Sequence, residues 1–291
     1  MPDRAIIATD LTEASSMMVE QMGFLKEFGI AKVLLLQCPD YQDVASDAFP
    51  FIASIQAETL EQQKRGLQKA GFEVELRISP GNAKREINRI ADQEGYPLVV
   101  VGSQGRSLIG GAFLGGVAHE VMLGTKKPLL IVRLGLSEEH TLQVIGISPA
   151  GVCSHILFAT DFSVGSEGAF AHLLQLVSKG FVKKVTLLHV QDRSRIEPYL
   201  IDRLEEFNET DKKRLAELKQ RFGGDKEVEI ALKLVYGSPP LEIMRALENS
   251  DATMVLLGTQ GRGFLRELFV GSVSQYVARR ATVPVLLVPL C

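Results

Sequence analysis

The segment "AIIATDLTEAS", Ala5 to Ser15, is written a second time as "ILFATDFSVGS", Ile156 to Ser166. Three more pairs follow in the same order. "KVLLLQC" (Lys32 to Cys38) matches "KVTLLHV" (Lys184 to Val190), and "VVVGSQGR" (Val99 to Arg106) matches "VLLGTQGR" (Val255 to Arg262). Last, "TKKPLLIVRL" (Thr125 to Leu134) matches "ATVPVLLVPL" (Ala281 to Leu290). The spacing drifts by only a few residues from first pair to last, so each half is one whole domain and the chain is no short-repeat solenoid. A length of 291 residues accommodates two such domains. The expected division is domain 1 at 1–135, a linker at 136–153 that lacks a helical pattern and carries Gly, Pro and Ser, and domain 2 at 154–291.

Within each half, apolar strands alternate with amphipathic helices. Strands are expected at 4–9, 32–37, 72–78, 98–102 and 129–134, and again at 155–160, 184–190, 227–235, 253–258 and 285–289. Val, Ile and Leu run through them with little polar alternation, as in strands covered on both faces. Helices are expected at 12–28, 50–70, 82–94 and 116–124. In the second half "YLIDRLEEFNETDKKRLAELKQRFGG" places Leu200, Leu204, Phe207, Leu215 and Leu218 at helical spacing before a Gly-Gly stop. Such alternation predicts an α/β fold, a parallel sheet wound on both sides in each half.

In an open parallel sheet, ligands bind beyond the carboxyl ends of the strands, where the strand order reverses. The tip of the first strand and the loop after the fourth both lie there. That loop has the spacing G-x₂-G-x₉-G in both halves: Gly102, Gly105 and Gly115, then Gly258, Gly261 and Gly271. Each loop feeds a helix start, at Gly115-Gly116 or Gly271-Ser272, whose N–H groups and dipole favour an anion such as phosphate. Glycine lets the backbone approach that anion. The plainer alternative is a tight turn with Ser272 as an ordinary N-cap; two matching copies weigh towards phosphate, although duplication also preserves structural turns. Asp10 and Asp161 present a similar choice. Each either caps the following helix or accepts hydrogen bonds at the nucleoside end of a ligand, since a carboxylate repels phosphate.

Several function classes are disfavoured. A net charge of −3 argues against broad binding to nucleic acid or anionic membrane. No apolar run approaches the roughly 18 residues of a membrane span, and the first residues enter a strand pattern without a signal-peptide organisation, so a cytoplasmic protein is expected. Three cysteines and five histidines are scattered, which predicts neither a disulfide framework nor a metal site. The P-loop pattern, the dinucleotide G-x-G-x-x-G after the first strand and the G-x-S-x-G elbow are missing. His189 stands at a strand tip, but its counterpart is Gln37, which speaks against a catalytic role shared by both halves. No catalytic residue is expected.

The "ATD" strand tip, the "LLHV" second strand, and Gly258-x-x-Gly261-x₉-Gly271-Ser272 followed by "VPVLLVP" resemble the universal stress protein family over nearly the whole chain. The resemblance implies two tandem Rossmann-like domains, each a five-stranded parallel sheet of order 3-2-1-4-5 flanked by helices. It also implies adenine-nucleotide binding, with ATP, ADP or AMP as ligand and Mg accompanying ATP. Carried over by position, Asp161 and the backbone at Val190 meet adenine or ribose. Gly258, Gln260 and Gly261 line the ribose and phosphate path, and Gly271, Ser272, Val273 and Ser274 hold the phosphates. Ala159, Thr160, Leu257 and Arg262 flank these positions. The first half supplies Thr9, Asp10, Cys38, Val101, Gly102, Gln104, Gly105, Arg106, Gly115, Gly116 and Val117. It departs from the pattern at Gly116 and Ala118, where the second half has Ser272 and Ser274, so its site is expected to be the weaker.

The expected function is a regulatory nucleotide-binding module in stress response. The alternatives are a slow ATP hydrolase that retains AMP or ADP, and an interaction scaffold with a vestigial site. In a 3-2-1-4-5 sheet the final strands, "PLLIVRL" and "VPVLLVPL", are apolar edges that must be paired or buried. The halves are therefore expected to pack through them, and two chains to form a homodimer.

Overall fold

Six residues from Arg4 to Thr9 form β1, and Ala5, Ile6 and Ile7 in it are wholly inaccessible to solvent. The computed structural model describes residues 3–39, 49–103, 114–136, 142–192, 203–223, 227–261 and 270–290. It divides into unit 1, Met1–Ile145, and unit 2, Gly146–Cys291.

In unit 1, β1 is followed by α1 (Glu13–Glu20), β2 (Lys32–Gln37), α2 (Phe49–Lys69), β3 (Glu73–Ile78), α3 (Ala83–Gln93), β4 (Val99–Gly102), α4 (Gly116–Gly124) and β5 (Leu129–Val132). The pairs β3–β2, β2–β1, β1–β4 and β4–β5 are all parallel, which gives the order 3-2-1-4-5. The helix expected over 12–28 is two elements: α1 ends at Glu20, and Met22–Phe28 is a 3₁₀ segment. With three residues per turn, that segment aligns Met22, Leu25 and Phe28 on one side, and all three are buried. Gly29, at φ 77°, ends it. The strand expected to run to 134 stops at Val132; Leu134–Leu136 (β6) instead pairs antiparallel with Leu142–Val144 (β7). The division between units falls inside 136–153, the segment expected as a linker, and a short antiparallel strand pair straddles the start of that segment.

Unit 2 repeats the architecture. It contains β8 (His155–Thr160), α5 (Val164–Val177), β9 (Lys184–Gln191), α6 (Leu204–Gln220), β10 (Glu229–Tyr236), α7 (Pro239–Glu248), β11 (Met254–Gly258), α8 (Ser272–Arg280) and β12 (Val285–Val288). The parallel pairs β10–β9, β9–β8, β8–β11 and β11–β12 again give 3-2-1-4-5. All six residues of β8 are buried, as a central strand between helical layers requires. α6 begins at Leu204, so Leu200 lies outside the described residues; Leu215 and Leu218 are buried as the spacing predicts. The reversal of strand order lies between β8 and β11 in unit 2 and between β1 and β4 in unit 1. It fixes where the candidate site must be sought.

Candidate functional site

The tip of β8 turns sharply into α5. Phe162 has φ 58°, and its counterpart Leu11 in unit 1 has φ 59°, a left-handed conformation that a bulky residue seldom adopts. Local hydrogen bonds hold both turns. In unit 2, Thr160 Oγ1 accepts from Phe162 N at 3.0 Å and donates to Ser166 Oγ at 3.1 Å. Asp161 Oδ1 accepts from Ser163 N at 3.0 Å, and Ser163 Oγ, the helix cap, accepts from Ser166 N at 3.2 Å. Unit 1 repeats this with Thr9, Asp10, Thr12 and Ser15. The aspartates are therefore not the N-caps; Thr12 and Ser163 are. One difference separates the units. The Thr12 hydroxyl donates back to Asp10 Oδ1 at 2.6 Å, whereas the Ser163 hydroxyl lies 3.4 Å from the Gln260 carbonyl oxygen.

That last contact belongs to a close approach between the start of α5 and the loop after β11. A Cβ at Gly165 would lie 2.2 Å from the Gln260 carbonyl oxygen, and one at Gly258 would lie 2.7 Å from the Gly165 carbonyl oxygen. A Cβ at Gly261 would lie 2.6 Å from Asp161 Oδ2. Gly258 is thus required by backbone packing inside unit 2, whereas Gly261 gives room to the Asp161 side chain. The same packing sets Asp161 beside the loop. Gly165 carries no repeat signal in the sequence, since its counterpart is Ala14; only the three-dimensional approach exposes its role.

The loop returns to α8 at Gly271, whose N–H donates to the Thr259 carbonyl oxygen at 2.6 Å. Gly271 is the N-cap, without a side-chain cap, and Ser272 is the first helical residue. The expectation of Ser272 as cap is corrected by one position. In unit 1, Gly115 is likewise the cap and Gly116 the first helical residue. Because helical bonding reaches back four residues, the N–H groups of Ser272, Val273 and Ser274 have no partner within the helix. The first turn of neither α4 nor α8 contains an acidic residue, so nothing there opposes the anion-attracting dipole. Ser272 is exposed. Ser274 is buried, and its hydroxyl donates to the Gly258 carbonyl oxygen at 2.7 Å. That hydroxyl staples helix to strand, so only the backbone N–H of Ser274 faces forward.

The remaining candidates divide by position. Ala159, Leu257 and Val101 are buried in the central strands, where their backbones alone reach the carboxyl edge. Gly102 ends β4, and Val117, 43% exposed, follows Gly116 in the first turn of α4. Val190 is half-buried near the end of β9. Cys38 follows β2; burial, reinforced by Glu86, pushes its thiol up to about 12 against the opposing pull of Arg89, which keeps it protonated and unreactive. Gln104, Gly105, Arg106 and Arg262 lie outside the described residues. Among the described residues no helix is long and apolar enough to cross a membrane, and no three His, Cys, Asp or Glu residues gather as a metal site.

The universal stress protein family model matches residues 1–133 and 153–289. A universal stress protein of Mycolicibacterium smegmatis is 25% identical over 261 residues, covering 84% of this chain and 83% of that protein. One from Methanocaldococcus jannaschii is 32% identical over 151 residues, covering 46% of this chain and 93% of its own length. Among solved structures, a universal stress protein from Archaeoglobus fulgidus superposes with a TM-score of 0.73 at 22% identity, covering 98% of this chain and 95% of that one. At that identity the likeness speaks for the fold.

Proposed function

Because the chain belongs to the universal stress protein family, we propose that it is a regulatory module that binds an adenine mononucleotide, ATP, ADP or AMP, principally in unit 2. One observation carries the reading. The N–H groups at the start of α8 open beyond the carboxyl edge of the sheet, at the strand-order reversal, with no acid in that helix turn. The phosphates are assigned to the N–H groups of Ser272, Val273 and Ser274 and to the Ser272 hydroxyl. Ribose or adenine is assigned to Asp161, whose carboxylate suits a hydroxyl or amino donor, and to the backbone at Val190. Mg accompanies the ATP form through the phosphates.

In unit 1 the same arrangement lacks a hydroxyl at Gly116, a difference that supports weaker binding there. We further propose a cytoplasmic homodimer, for which light scattering at several concentrations gives twice the chain mass; a constant monomer mass refutes it. For the ligand, the direct experiment is extraction of the purified protein and mass spectrometry of the released nucleotide, with thermal shift alongside. ATP or AMP should raise the melting temperature and NAD should not. Equal protection by NAD refutes the mononucleotide assignment.

A further inference from the structure

Unit 2 holds a buried polar cluster for which nucleotide contact gives no account. His189, near the end of β9, is 4% exposed. Its Nδ1 lies 2.8 Å from the Thr160 carbonyl oxygen. A carbonyl only accepts, so Nδ1 bears the hydrogen and donates. Nε2 faces Asp211 Oδ2 at 3.4 Å, a contact that becomes an ion pair when the ring carries its second proton. Asp211, on α6, is buried too, and the same Oδ2 accepts from Gln191 Nε2 at 3.1 Å. Arg214 reaches Asp211 Oδ1 at 3.5 Å, and its guanidinium lies 5.5 Å from the centre of the Phe162 ring. The Phe162 ring in turn packs on the imidazole, with centroids 4.5 Å apart.

These contacts converge on the turn Thr160–Phe162. Burying polar groups is costly unless they are hydrogen-bonded, and a left-handed bulky residue persists only where its surroundings over-determine it. Local hydrogen bonds already hold this turn in both units; in unit 2 the cluster adds a grip on the Thr160 carbonyl from one side and on the Phe162 ring from the other. Asp161 lies between them. Unit 1 lacks the device. It has Gln37 in place of His189, and the buried positions Leu60, Gln63 and Leu67 of α2 repeat the spacing of Asn208, Asp211 and Leu215 with Gln63 in the place of Asp211. Gln63 donates to Ser16 Oγ at 2.9 Å, and Gln37 Oε1 has no hydrogen-bond partner among the described residues.

We infer that His189, both of whose ring nitrogens face acceptors and so donate, to the Thr160 carbonyl and to the Asp211 carboxylate, is a positioning residue of unit 2. It fixes the turn that sets Asp161 beside Gly261, and thereby the affinity of that unit for an adenine mononucleotide. The inference rests on the nucleotide reading above. His189 acts on the turn; it does not touch the ligand.

The test uses the full chain as wild type, His189→Gln (the residue unit 1 has) and Asp211→Asn. ATP affinity is measured by calorimetry, and exchange of the Phe162 and Ser163 amides by hydrogen–deuterium exchange. His189→Gln should weaken the tighter ATP site about tenfold and Asp211→Asn about threefold, as expected for loss of one bond and of its support. The double variant should bind no worse than His189→Gln, since the two residues act in series. Both amides, which bond to Thr160 Oγ1 and Asp161 Oδ1, should exchange faster. A purely structural role lowers the melting temperature while leaving ATP affinity and local exchange unchanged; that result overturns the inference alone. If His189→Gln does not fold, Asp211→Asn decides by the same two readouts. Wild type that takes no ATP overturns the nucleotide reading and this inference together.

Discussion

The Ser274 hydroxyl donates to the Gly258 carbonyl oxygen at 2.7 Å, joining the first turn of α8 to the end of β11. Its neighbour Ser272 is exposed. The two serines therefore predict opposite phenotypes. Ser274→Ala leaves a carbonyl without its partner in a largely buried place and should cost about 1–2 kcal/mol, read as a lower urea midpoint. Ser272→Ala should change stability by less than about 0.5 kcal/mol and act on ligand affinity. A stable Ser274→Ala variant contradicts the staple.

Gly165 is predicted to be irreplaceable. A methyl group there would meet the Gln260 carbonyl oxygen at 2.2 Å, and backbone must move to admit it. Gly165→Ala should destabilise unit 2 by about 1–3 kcal/mol, the usual range for forced overpacking, and weaken nucleotide binding by displacing the loop from Asp161. A Gly165→Ala chain with wild-type melting and binding contradicts the interlock.

His155 predicts a pH dependence at the opposite end of β8. It is buried, with Nδ1 2.9 Å from Asp251 Oδ1 and Nε2 2.9 Å from Thr186 Oγ1. Burial holds its pKa below the ordinary 6.5, with Lys184 adding to the effect and Asp251 opposing it. As pH falls below about 6.5 the unfolded chain takes the proton first. The associated stability is whole above that pH and is lost as pH falls through the lower folded value. His155→Asn removes the titration, so wild type should lose stability relative to the variant between about pH 7 and pH 5. Urea midpoints for both chains across that range check it; parallel curves contradict it.

The fold was legible because the apolar runs "AIIAT" and "KVLLLQ" need only burial on two faces to become strands, and duplication doubled the signal. The end of the helix expected over 12–28 was not legible, since Met22, Leu25 and Phe28 suit either α-helical or 3₁₀ spacing. At the site, the glycine spacing marked the loop after the fourth strand, while the packing around each glycine was not legible. Gly258 and Gly261 make room for Gly165 and Asp161, partners distant in sequence. The shift of the cap from Ser272 to Gly271 was beyond reach for a similar reason. A serine hydroxyl at a helix start reads as a cap, and only the backbone path through Thr259 shows that the helix begins one residue earlier. His189 carries no signal shared by both halves because Gln37 replaces it; its partner Asp211 falls between Phe207 and Leu215 on the apolar stripe of its helix, which is the signal that points to it.

The central claim, an adenine mononucleotide held at the start of α8, is tested most directly by calorimetry of the full chain with ATP, comparing wild type with Ser272→Ala. A hydroxyl bond to a charged phosphate is worth about 1.5–3 kcal/mol, so the variant should lose tenfold to a hundredfold in affinity at its tighter site by about that arithmetic. Wild type should show one tight site in unit 2 and a weaker one in unit 1, with only the tight one changed by the substitution. Two equal sites in wild type, or a tight site unaltered in Ser272→Ala, would contradict the account.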